Sequence, residues 1–301
     1  MKTLYVTDLA LSPLTLGTMT WGSPVAFDEA VKLTRYAVEA GINHIDTANM
    51  YEGYDRYAGS PGGTAEKIVG EAMKEIPRHK AVIATKLGMK VGENPEDEGT
   101  SRAAILTQLD KSLTRLDLDY VDILYLHRTD PAVSFEEILS TLDEVKRAGK
   151  IRAFGVSNYP AEKLAELLCV AEEKGYSRPV ICQPPLSLLK QDAAKDILPL
   201  CQKEKIAAVP YQIFQGGLLT GKYKRNEAFP AESRGAIKPA WMMTMDDALF
   251  DRLEEWEAQA ASDGVDLATF ALRWVMAQPA VVSALIGVRT KEQIDRALRM
   301  L

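Results

Sequence analysis

The sequence predicts a single (β/α)8, or TIM, barrel over residues 1–301, and three observations support this prediction. Short β-branched or aliphatic runs alternate with longer stretches of helical periodicity. Eight such runs occur, with no compositional break between them. A chain of 301 residues is also within the usual length of a one-domain barrel. A doubly wound sheet, the main alternative, should carry a GxGxxG turn after a strand, and the sequence contains none.

The predicted strands are the short apolar runs, and in chain order they are 14–17, 44–47, 81–86, 121–127, 151–156, 180–183, 206–210 and 282–287. Between the third and fourth strands, the apolar residues Ile105, Leu109 and Leu113 are spaced four residues apart, which predicts a helix with one buried face. A helix after the fifth strand is predicted to start near Pro160 and to end before Gly175. Segments 51–64 and about 212–244 lack helical periodicity and are predicted to be long loops.

Composition excludes several classes of partner. The net charge of −6 argues against nucleic acid or an anionic membrane surface, which require clustered Lys and Arg. No run approaches the roughly 18 apolar residues of a membrane span, and the first residues do not resemble a signal peptide. The three cysteines, Cys169, Cys182 and Cys201, form no CxxC pair and are predicted to be buried, reduced thiols. We therefore expect a cytoplasmic protein.

Polar residues follow the predicted strands where each strand ends. Asp46, Lys86 and His127 end the second, third and fourth strands, and Tyr51 follows a few residues after Asp46. Loops at the carboxyl end of a barrel converge, so these four side chains should meet. An ammonium group lowers the pKa of a nearby phenol, and a carboxylate keeps that ammonium charged. The pattern predicts that Tyr51 is a proton donor tuned by Lys86 and Asp46, with His127 orienting a carbonyl oxygen.

Carbonyl reduction also needs a hydride, which no side chain can deliver, so the sequence predicts a redox cofactor. Ser157, Asn158 and Gln183 are placed to bind a carboxamide, and Tyr211 offers a flat face for a ring. Basic residues near the last two strands are candidates for phosphate binding, as barrels often bind phosphates there, and they are Lys222, Arg234 and Arg289.

The chain resembles the aldo-keto reductase superfamily along essentially its whole length. Seven segments carry the resemblance: LGTMTWG at 16–22, DTANMY at 46–51, ATKLG at 84–88, LHRTDP at 126–131, GKIRAFGVSNY at 149–159, GGLLTGKY at 216–223 and IGVRTKEQ at 286–293. The resemblance implies an NADPH-dependent carbonyl reductase, with NADH a less favoured coenzyme and no metal. It assigns Tyr51 as the general acid, Lys86 and Asp46 as its partners and His127 as the orienting residue.

The resemblance also implies a set of coenzyme contacts, which are Met19, Ser157, Asn158, Gln183, Tyr211, Gln212, Leu218, Lys222, Arg234, Gly287, Arg289 and Gln293. The chain departs from the family pattern where Gln212, Ile213 and Phe214 replace a common Ser-Pro-Leu after the stacking aromatic residue. Candidate substrate contacts are Trp21, Tyr54 and Phe214, and these apolar aromatics favour a small, uncharged aldehyde or ketone. The sequence leaves the oligomeric state open.

Two alternatives stay open. Some members of the family serve an ion channel, so the chain can be a slow-turnover, NADPH-binding sensor or regulatory subunit. Lys86 can instead be read as a Schiff-base nucleophile, because a lysine of lowered pKa at a strand end can perform that chemistry. A neighbouring carboxylate keeps the lysine protonated and opposes the second alternative.

Overall fold

The computed structural model describes residues 4–6 and 8–301. Its strands are β1 Leu4–Val6, β2 Leu9–Leu11, β3 Leu14–Gly17, β4 His44–Asp46, β5 Val82–Leu87, β6 Val121–Leu126, β7 Ile151–Ser157, β8 Ile181–Gln183, β9 Ala207–Ala208 and β10 Ala284–Gly287. Its helices are α1 Phe27–Glu39, α2 Thr64–Met73, α3 Arg102–Leu116, α4 Phe135–Arg147, α5 Ala161–Lys174, α6 Asp192–Lys195, α7 Ile197–Lys203, α8 Arg234–Ile237, α9 Asp247–Ser262, α10 Leu267–Met276 and α11 Lys291–Arg299. Within these residues, no helix has the length and apolar character needed to cross a bilayer.

Eight strands form one parallel sheet in the order β10-β3-β4-β5-β6-β7-β8-β9. These are the eight strands predicted from the sequence, with small differences at their ends. Strand β9 is shorter than the predicted 206–210 because Pro210 has no backbone N–H with which to extend the ladder. Pairing resumes at Tyr211, whose N–H donates to the carbonyl of Pro184 at 3.0 Å.

Hydrogen bonds also join the two edge strands of this sheet. The N–H of Val282 donates to the carbonyl of Ala208 at 3.0 Å, and the N–H of Ala208 donates to the carbonyl of Ala280 at 2.8 Å. Farther along, the N–H of Leu285 donates to the carbonyl of Pro210 at 3.0 Å. The sheet is therefore curled so that its first and last strands face each other.

A two-stranded hairpin, which the sequence analysis did not predict, precedes the sheet. Strands β1 and β2 pair antiparallel. Leu9 and Leu11 are buried and belong to an apolar cluster that contains Val82 and Ile123. Because Val82 is the first residue of β5, the hairpin packs at the amino-terminal ends of the strands.

The helices pack on the outside of the sheet through the faces that their periodicity predicts. Helix α3 buries Ile105, Leu109 and Leu113, and the Oγ of Ser101 caps its first turn by accepting from the N–H of Ala104. Helix α5 ends at Gly175, which has a φ of 71°, so that glycine closes the helix in the left-handed conformation. Both helix predictions are confirmed.

The cysteine prediction is correct for two of the three residues. Cys182 and Cys201 are buried free thiols, whereas Cys169 is exposed. Cys169 lies on the outer face of α5, opposite the buried Leu164 and Leu167, so the apolar character of the surrounding segment did not indicate its burial.

The loop between β9 and α9 is more ordered than the sequence predicted. It contains a 3-10 segment at Gln215–Thr220, the short helix α8, and a 3-10 turn at Pro239–Trp241. Helices of this length are too short to give a periodic signal, and two glycines at positive φ, Gly216 and Gly217, interrupt the first of them. This loop emerges at the carboxyl-terminal ends of the strands.

Candidate active site

Four predicted polar side chains lie together at the carboxyl-terminal edge of the sheet. Asp46 is the last residue of β4, Lys86 is the penultimate residue of β5, and His127 follows β6 directly. The N–H of His127 donates to the carbonyl of Leu87 at 2.9 Å, which continues the pairing of β5 with β6 to this position. Tyr51 lies on the loop after β4, and its carbonyl accepts from the N–H of Ala65 in α2 at 3.0 Å.

Lys86 and Asp46 form an ion pair inside this edge. The Nζ of Lys86 donates to Oδ1 of Asp46 and to the carbonyl of Thr47, the latter at 3.0 Å. The Nε2 of Gln183 donates to the other carboxylate oxygen of Asp46 at 2.8 Å. Both oxygens of the carboxylate therefore have a donor, which a buried charge requires.

Burial and ion pairing act in opposite directions on this pair. Burial raises the pKa of Asp46 and lowers the pKa of Lys86, in each case toward the neutral form. Their mutual attraction and hydrogen bond oppose both shifts. The hydrogen bonds from Gln183 to Asp46 and from Lys86 to Thr47 further support the charged forms.

Tyr51 lies beside both the ammonium group and the imidazole. The Nζ of Lys86 is 5.0 Å from the centroid of the Tyr51 ring. The rings of Tyr51 and His127 meet edge to face, with centroids 5.9 Å apart and planes at 78°. The three groups thus surround one small region at the mouth of the sheet.

The predicted direction of the Tyr51 pKa shift is wrong. Burial raises the pKa of Tyr51 above its ordinary value, and the charge of Asp46 raises it further. The physical reason is that Asp46 compensates the charge of Lys86 while burial penalises a phenolate. The phenol therefore holds its proton at neutral pH, as a proton donor must.

His127 is a buried and neutral imidazole. Burial, with the cations of Lys86, Arg128 and Arg56, lowers the pKa of His127 well below its ordinary range. Its Nδ1 is buried and has no hydrogen-bond partner in the described part of the chain. Arg56, on the same loop as Tyr51, was missed in the sequence because nothing in its spacing distinguishes it from a solvated surface cation.

The predicted carboxamide-binding residues form a connected network next to His127. The Nδ2 of Asn158 donates to the carbonyl of His127 at 2.9 Å and to Oγ of Ser157 at 3.2 Å. The hydroxyl of Tyr211 donates to Oδ1 of Asn158 at 2.6 Å, and Oγ of Ser157 donates to the carbonyl of Gln183 at 2.9 Å. This network lies on the loops and strand ends that border Asp46 and His127.

A cluster of cations lies on the loops after β9 and β10. We call it the basic cluster, and it consists of Lys222, Arg234, Lys238 and Arg289. Arg234 and Arg289 both donate to the hydroxyl of Tyr54, and the Nζ of Lys238 lies 5.9 Å from the centroid of the same ring. Partial burial and the cations of Arg289 and Arg234 lower the pKa of Lys222. None of the four forms an ion pair with a carboxylate among residues 4–6 and 8–301. Such an uncompensated cluster is suited to phosphate binding.

Comparison with known proteins identifies the family. A family model described as "Aldo/keto reductase family" matches residues 13–301. The chain belongs to the aldo/keto reductase family. This aldo/keto reductase is an NAD(P)H-dependent oxidoreductase.

Several relatives match over nearly their whole length. The chain is 32% identical to an NADH-specific methylglyoxal reductase of Escherichia coli, over 97% of this chain and 90% of that protein. It is 31% identical to a probable voltage-gated potassium channel subunit beta of Oryza sativa, over 100% of this chain and 90% of that protein. The structure of a glycerol dehydrogenase from Gluconobacter oxydans superposes with a TM-score of 0.80 at 32% identity, covering 98% of this chain and 88% of the other.

The other predicted coenzyme contacts of this aldo/keto reductase are spread around the carboxyl-terminal edge of the sheet. Met19 is partly exposed on the loop after β3, and Gln212 is exposed with a φ of 58°. Gly287 is exposed at the end of β10, and Oε1 of Gln293 accepts from the N–H of Arg289 at 2.8 Å. Leu218 is buried in an apolar cluster, so its side chain does not face the cleft.

The predicted substrate contacts are in different environments in this aldo/keto reductase. Trp21 is 0% exposed, so its position does not support direct contact with a substrate. The physical reason is that its large apolar ring packs into the main core. Tyr54 is buried against the basic cluster, where its hydroxyl accepts from the Nη2 of Arg289. Phe214 is partly buried and follows β9, at the mouth of the sheet.

Proposed function

We propose that the chain reduces the carbonyl group of an uncharged aldehyde or ketone to an alcohol, with NADPH as coenzyme and Tyr51 as general acid. The observation that carries the proposal is the position of Tyr51 between the ammonium of Lys86 and the imidazole of His127. The proposed location is the cytoplasm.

In this mechanism the side chains bind, orient and protonate the carbonyl oxygen. The bound coenzyme supplies the hydride that the carbonyl carbon accepts. His127, neutral because of its lowered pKa, donates a hydrogen bond that fixes the carbonyl oxygen. The O–H bond of Tyr51 breaks as its proton passes to that oxygen, and the resulting phenolate is stabilised by the nearby charge of Lys86.

The residues at the mouth fit a nicotinamide dinucleotide in charge and in hydrogen-bonding capacity. Asn158 and Ser157 present amide and hydroxyl groups beside His127, where a carboxamide would bind. Tyr211 presents its ring next to them. The basic cluster has uncompensated positive charge for phosphate groups, and this supports NADPH over NADH.

We further propose that the sheet is a closed (β/α)8 barrel forming a single domain over residues 1–301. The hydrogen bonds of Val282 and Ala208 support closure, because they join strands at opposite edges of the sheet. A closed barrel explains how Gln183 of β8 reaches Asp46 of β4 across the interior.

The test is a panel of aldehydes and ketones assayed with NADPH and with NADH, using the wild-type chain and Tyr51→Phe. This substitution removes the hydroxyl and keeps the ring. We expect a rate decrease of at least about 100-fold with the best substrate, which is the usual contribution of a general acid. An undiminished rate for Tyr51→Phe would show that Tyr51 is not the acid, and stronger turnover with NADH would show that the coenzyme assignment is wrong.

A second candidate function is a coenzyme-binding regulatory subunit with slow turnover. The specific observation that favours it is the similarity to proteins named as probable potassium channel subunits from rice and from Arabidopsis thaliana. Tight NADPH binding together with negligible turnover across the whole panel would support this function over the first.

The ion pair opposes the third possibility, a Schiff-base mechanism. Lys86 contacts a carboxylate oxygen and a carbonyl oxygen, and both stabilise the protonated amine, which is not nucleophilic. Borohydride trapping of a substrate on Lys86 would contradict this conclusion.

A further inference from the structure

The hydroxyl of Tyr54 joins two members of the basic cluster that come from different loops. The Nη2 of Arg289 donates to this oxygen at 2.7 Å, and the Nε of Arg234 donates to it at 3.2 Å. Arg289 follows β10, whereas Arg234 belongs to the loop between β9 and α9. Tyr54 itself lies on the loop after β4, so one phenol oxygen connects three loops.

The phenol oxygen of Tyr54 accepts from two arginines without cancelling their charge. Two guanidinium groups that share one oxygen repel each other, and so do the nearby ammonium groups of Lys222 and Lys238. A carboxylate would hold the arginines together but would cancel their charge. The neutral phenol oxygen of Tyr54 aligns their donors and leaves the positive charge of the cluster available to an anion.

The position of the Tyr54 ring is itself fixed. Its residue is only 3% exposed, and its ring meets that of Trp241 edge to face at 5.3 Å. The guanidinium carbon of Arg289 lies 5.4 Å from the ring centroid.

The backbone around Tyr54 is also constrained. The N–H of Tyr54 donates to the carbonyl of Ser23 at 2.8 Å. The preceding Gly53 has a φ of +71°, and a Cβ there would lie 2.5 Å from the nitrogen of Ser23. This close approach holds the backbone at Tyr54 against Ser23.

We propose that Tyr54 is a positioning residue that holds Arg234 and Arg289 preorganised for the phosphate groups of the coenzyme. The proposal rests on the proposed NADPH-dependent function and adds a residue that acts through the arginines. Donors that are already aligned need not be ordered when the ligand binds, so affinity increases. Loss of the Tyr54 hydroxyl therefore weakens phosphate binding although no cation is removed.

Tyr54→Phe tests the hydrogen bonds to the arginines because it removes only the hydroxyl that accepts them. It keeps the ring, its packing on Trp241 and its ring contact with the guanidinium of Arg289. The probes are NADPH and adenosine 2′,5′-bisphosphate, with dissociation constants measured by titration calorimetry. We expect both to bind roughly tenfold more weakly, the effect of about one charge-assisted hydrogen bond. Tyr57→Phe is the matched control, since Tyr57 is 66% exposed on the same loop. Binding by this control should equal that of the wild-type chain.

A double-mutant cycle separates positioning from a general structural role. If Tyr54 acts through Arg289, then Tyr54→Phe should cause a much smaller loss in an Arg289→Ala background than in the wild-type chain. An equal loss in both backgrounds would overturn the proposal. Thermal unfolding of each variant identifies any that are not folded. If Tyr54→Phe is not folded, Arg234→Lys tests the same contact, because it keeps the charge and removes the Nε donor. Unchanged binding by Arg234→Lys would also overturn the proposal.

The experiment distinguishes this proposal from the proposed function. If the wild-type chain binds NADPH no more tightly than NADH, then the coenzyme assignment is wrong. The Tyr54 proposal is then decided by how well inorganic pyrophosphate competes with the coenzyme for binding. Pyrophosphate has no 2′-phosphate, so this measurement does not depend on which coenzyme the chain prefers. Weaker competition in Tyr54→Phe, coupled to Arg289, supports the proposal, and unchanged competition overturns it.

Discussion

Lys86 and Asp46 form an ion pair whose side chains are 0% and 1% exposed. A buried pair is a costly arrangement, because the attraction of the two charges must offset the loss of their hydration. Here the remaining donor and acceptor sites are filled by Thr47 and Gln183. The pair thereby fixes the ammonium of Lys86 5.0 Å from the centroid of the Tyr51 ring, with its charge compensated by Asp46.

Lys86→Met is expected to destabilise the chain by about 3–5 kcal/mol, because it leaves the carboxylate of Asp46 buried without its partner. It should also lower kcat/KM by at least about 100-fold if the ammonium stabilises the phenolate of Tyr51. Urea denaturation and steady-state kinetics measure the two effects. The double variant Asp46→Asn/Lys86→Met should be more stable than the sum of its single variants predicts. Additive losses would show that the two residues do not interact.

Arg289→Ala is expected to weaken NADPH binding by about 2 kcal/mol, or roughly 30-fold, through the loss of charge-assisted hydrogen bonds to phosphate. NADH lacks the 2′-phosphate, so its binding should change much less. Titration with each coenzyme measures the difference. Arg296→Ala is a suitable control because Arg296 pairs with Asp266 on the surface. Equal losses for the two coenzymes would contradict a role for Arg289 in selecting NADPH.

The sequence was sufficient to predict the eight parallel strands and the convergence of Asp46, Tyr51, Lys86 and His127 at one edge of the sheet, because each follows from a local pattern and a known rule of barrel geometry. It did not predict that the hydroxyl of Tyr54 accepts hydrogen bonds from two arginines of the basic cluster. That contact joins residues 54, 234 and 289, and no periodic pattern relates such distant positions. The direction of the Tyr51 pKa shift was also missed, because the degree of burial depends on packing that the sequence does not show.

The positions of loop side chains were also not predictable from the sequence. Lys238 joins the basic cluster, with its Nζ 5.9 Å from the ring centroid of Tyr54, yet it follows a stretch with no secondary-structure signal. Trp21, a candidate substrate contact from the family resemblance, is fully buried. Strand ends are fixed by backbone pairing, but the direction of a loop side chain depends on its neighbours in space.

His44 should make stability depend on pH. Burial, together with the charge of Lys86, lowers the pKa of His44 to about 3 from an ordinary value of 6.5. Between these values the unfolded chain binds a proton that the folded chain does not bind. The stability contribution is therefore fully present above about pH 6.5 and decreases as the pH falls toward about 3, by at most about 1.4 kcal/mol per pH unit.

The measurement is the free energy of unfolding of the wild-type chain and His44→Gln between about pH 6 and about pH 4.5. The variant lacks this titration, so its stability should decrease less over that interval. His127, whose pKa is also lowered by burial, contributes in the same direction in both proteins. His79→Gln serves as the control, because His79 is exposed and should leave the slope unchanged. Identical slopes for all three proteins would contradict the prediction.

Gly217→Ala should weaken coenzyme binding by displacing Lys222. Gly217 has a φ of +94°, and a Cβ at this position would lie 2.5 Å from the Nζ of Lys222. The flexible end of the lysine can move away, so we expect the ammonium to leave the basic cluster while the fold is kept. The left-handed backbone adds a cost of about 1 kcal/mol to stability.

Gly264→Ala separates these two effects. Gly264 also has a positive φ, of +70°, but no atom lies within 4 Å of the Cβ that alanine would add. Both variants should therefore lose similar stability in urea denaturation, while only Gly217→Ala should bind NADPH more weakly in a fluorescence titration. If both variants keep wild-type affinity, then the ammonium of Lys222 does not contact the coenzyme. If both lose affinity equally, then the loss reflects backbone strain and not the position of Lys222.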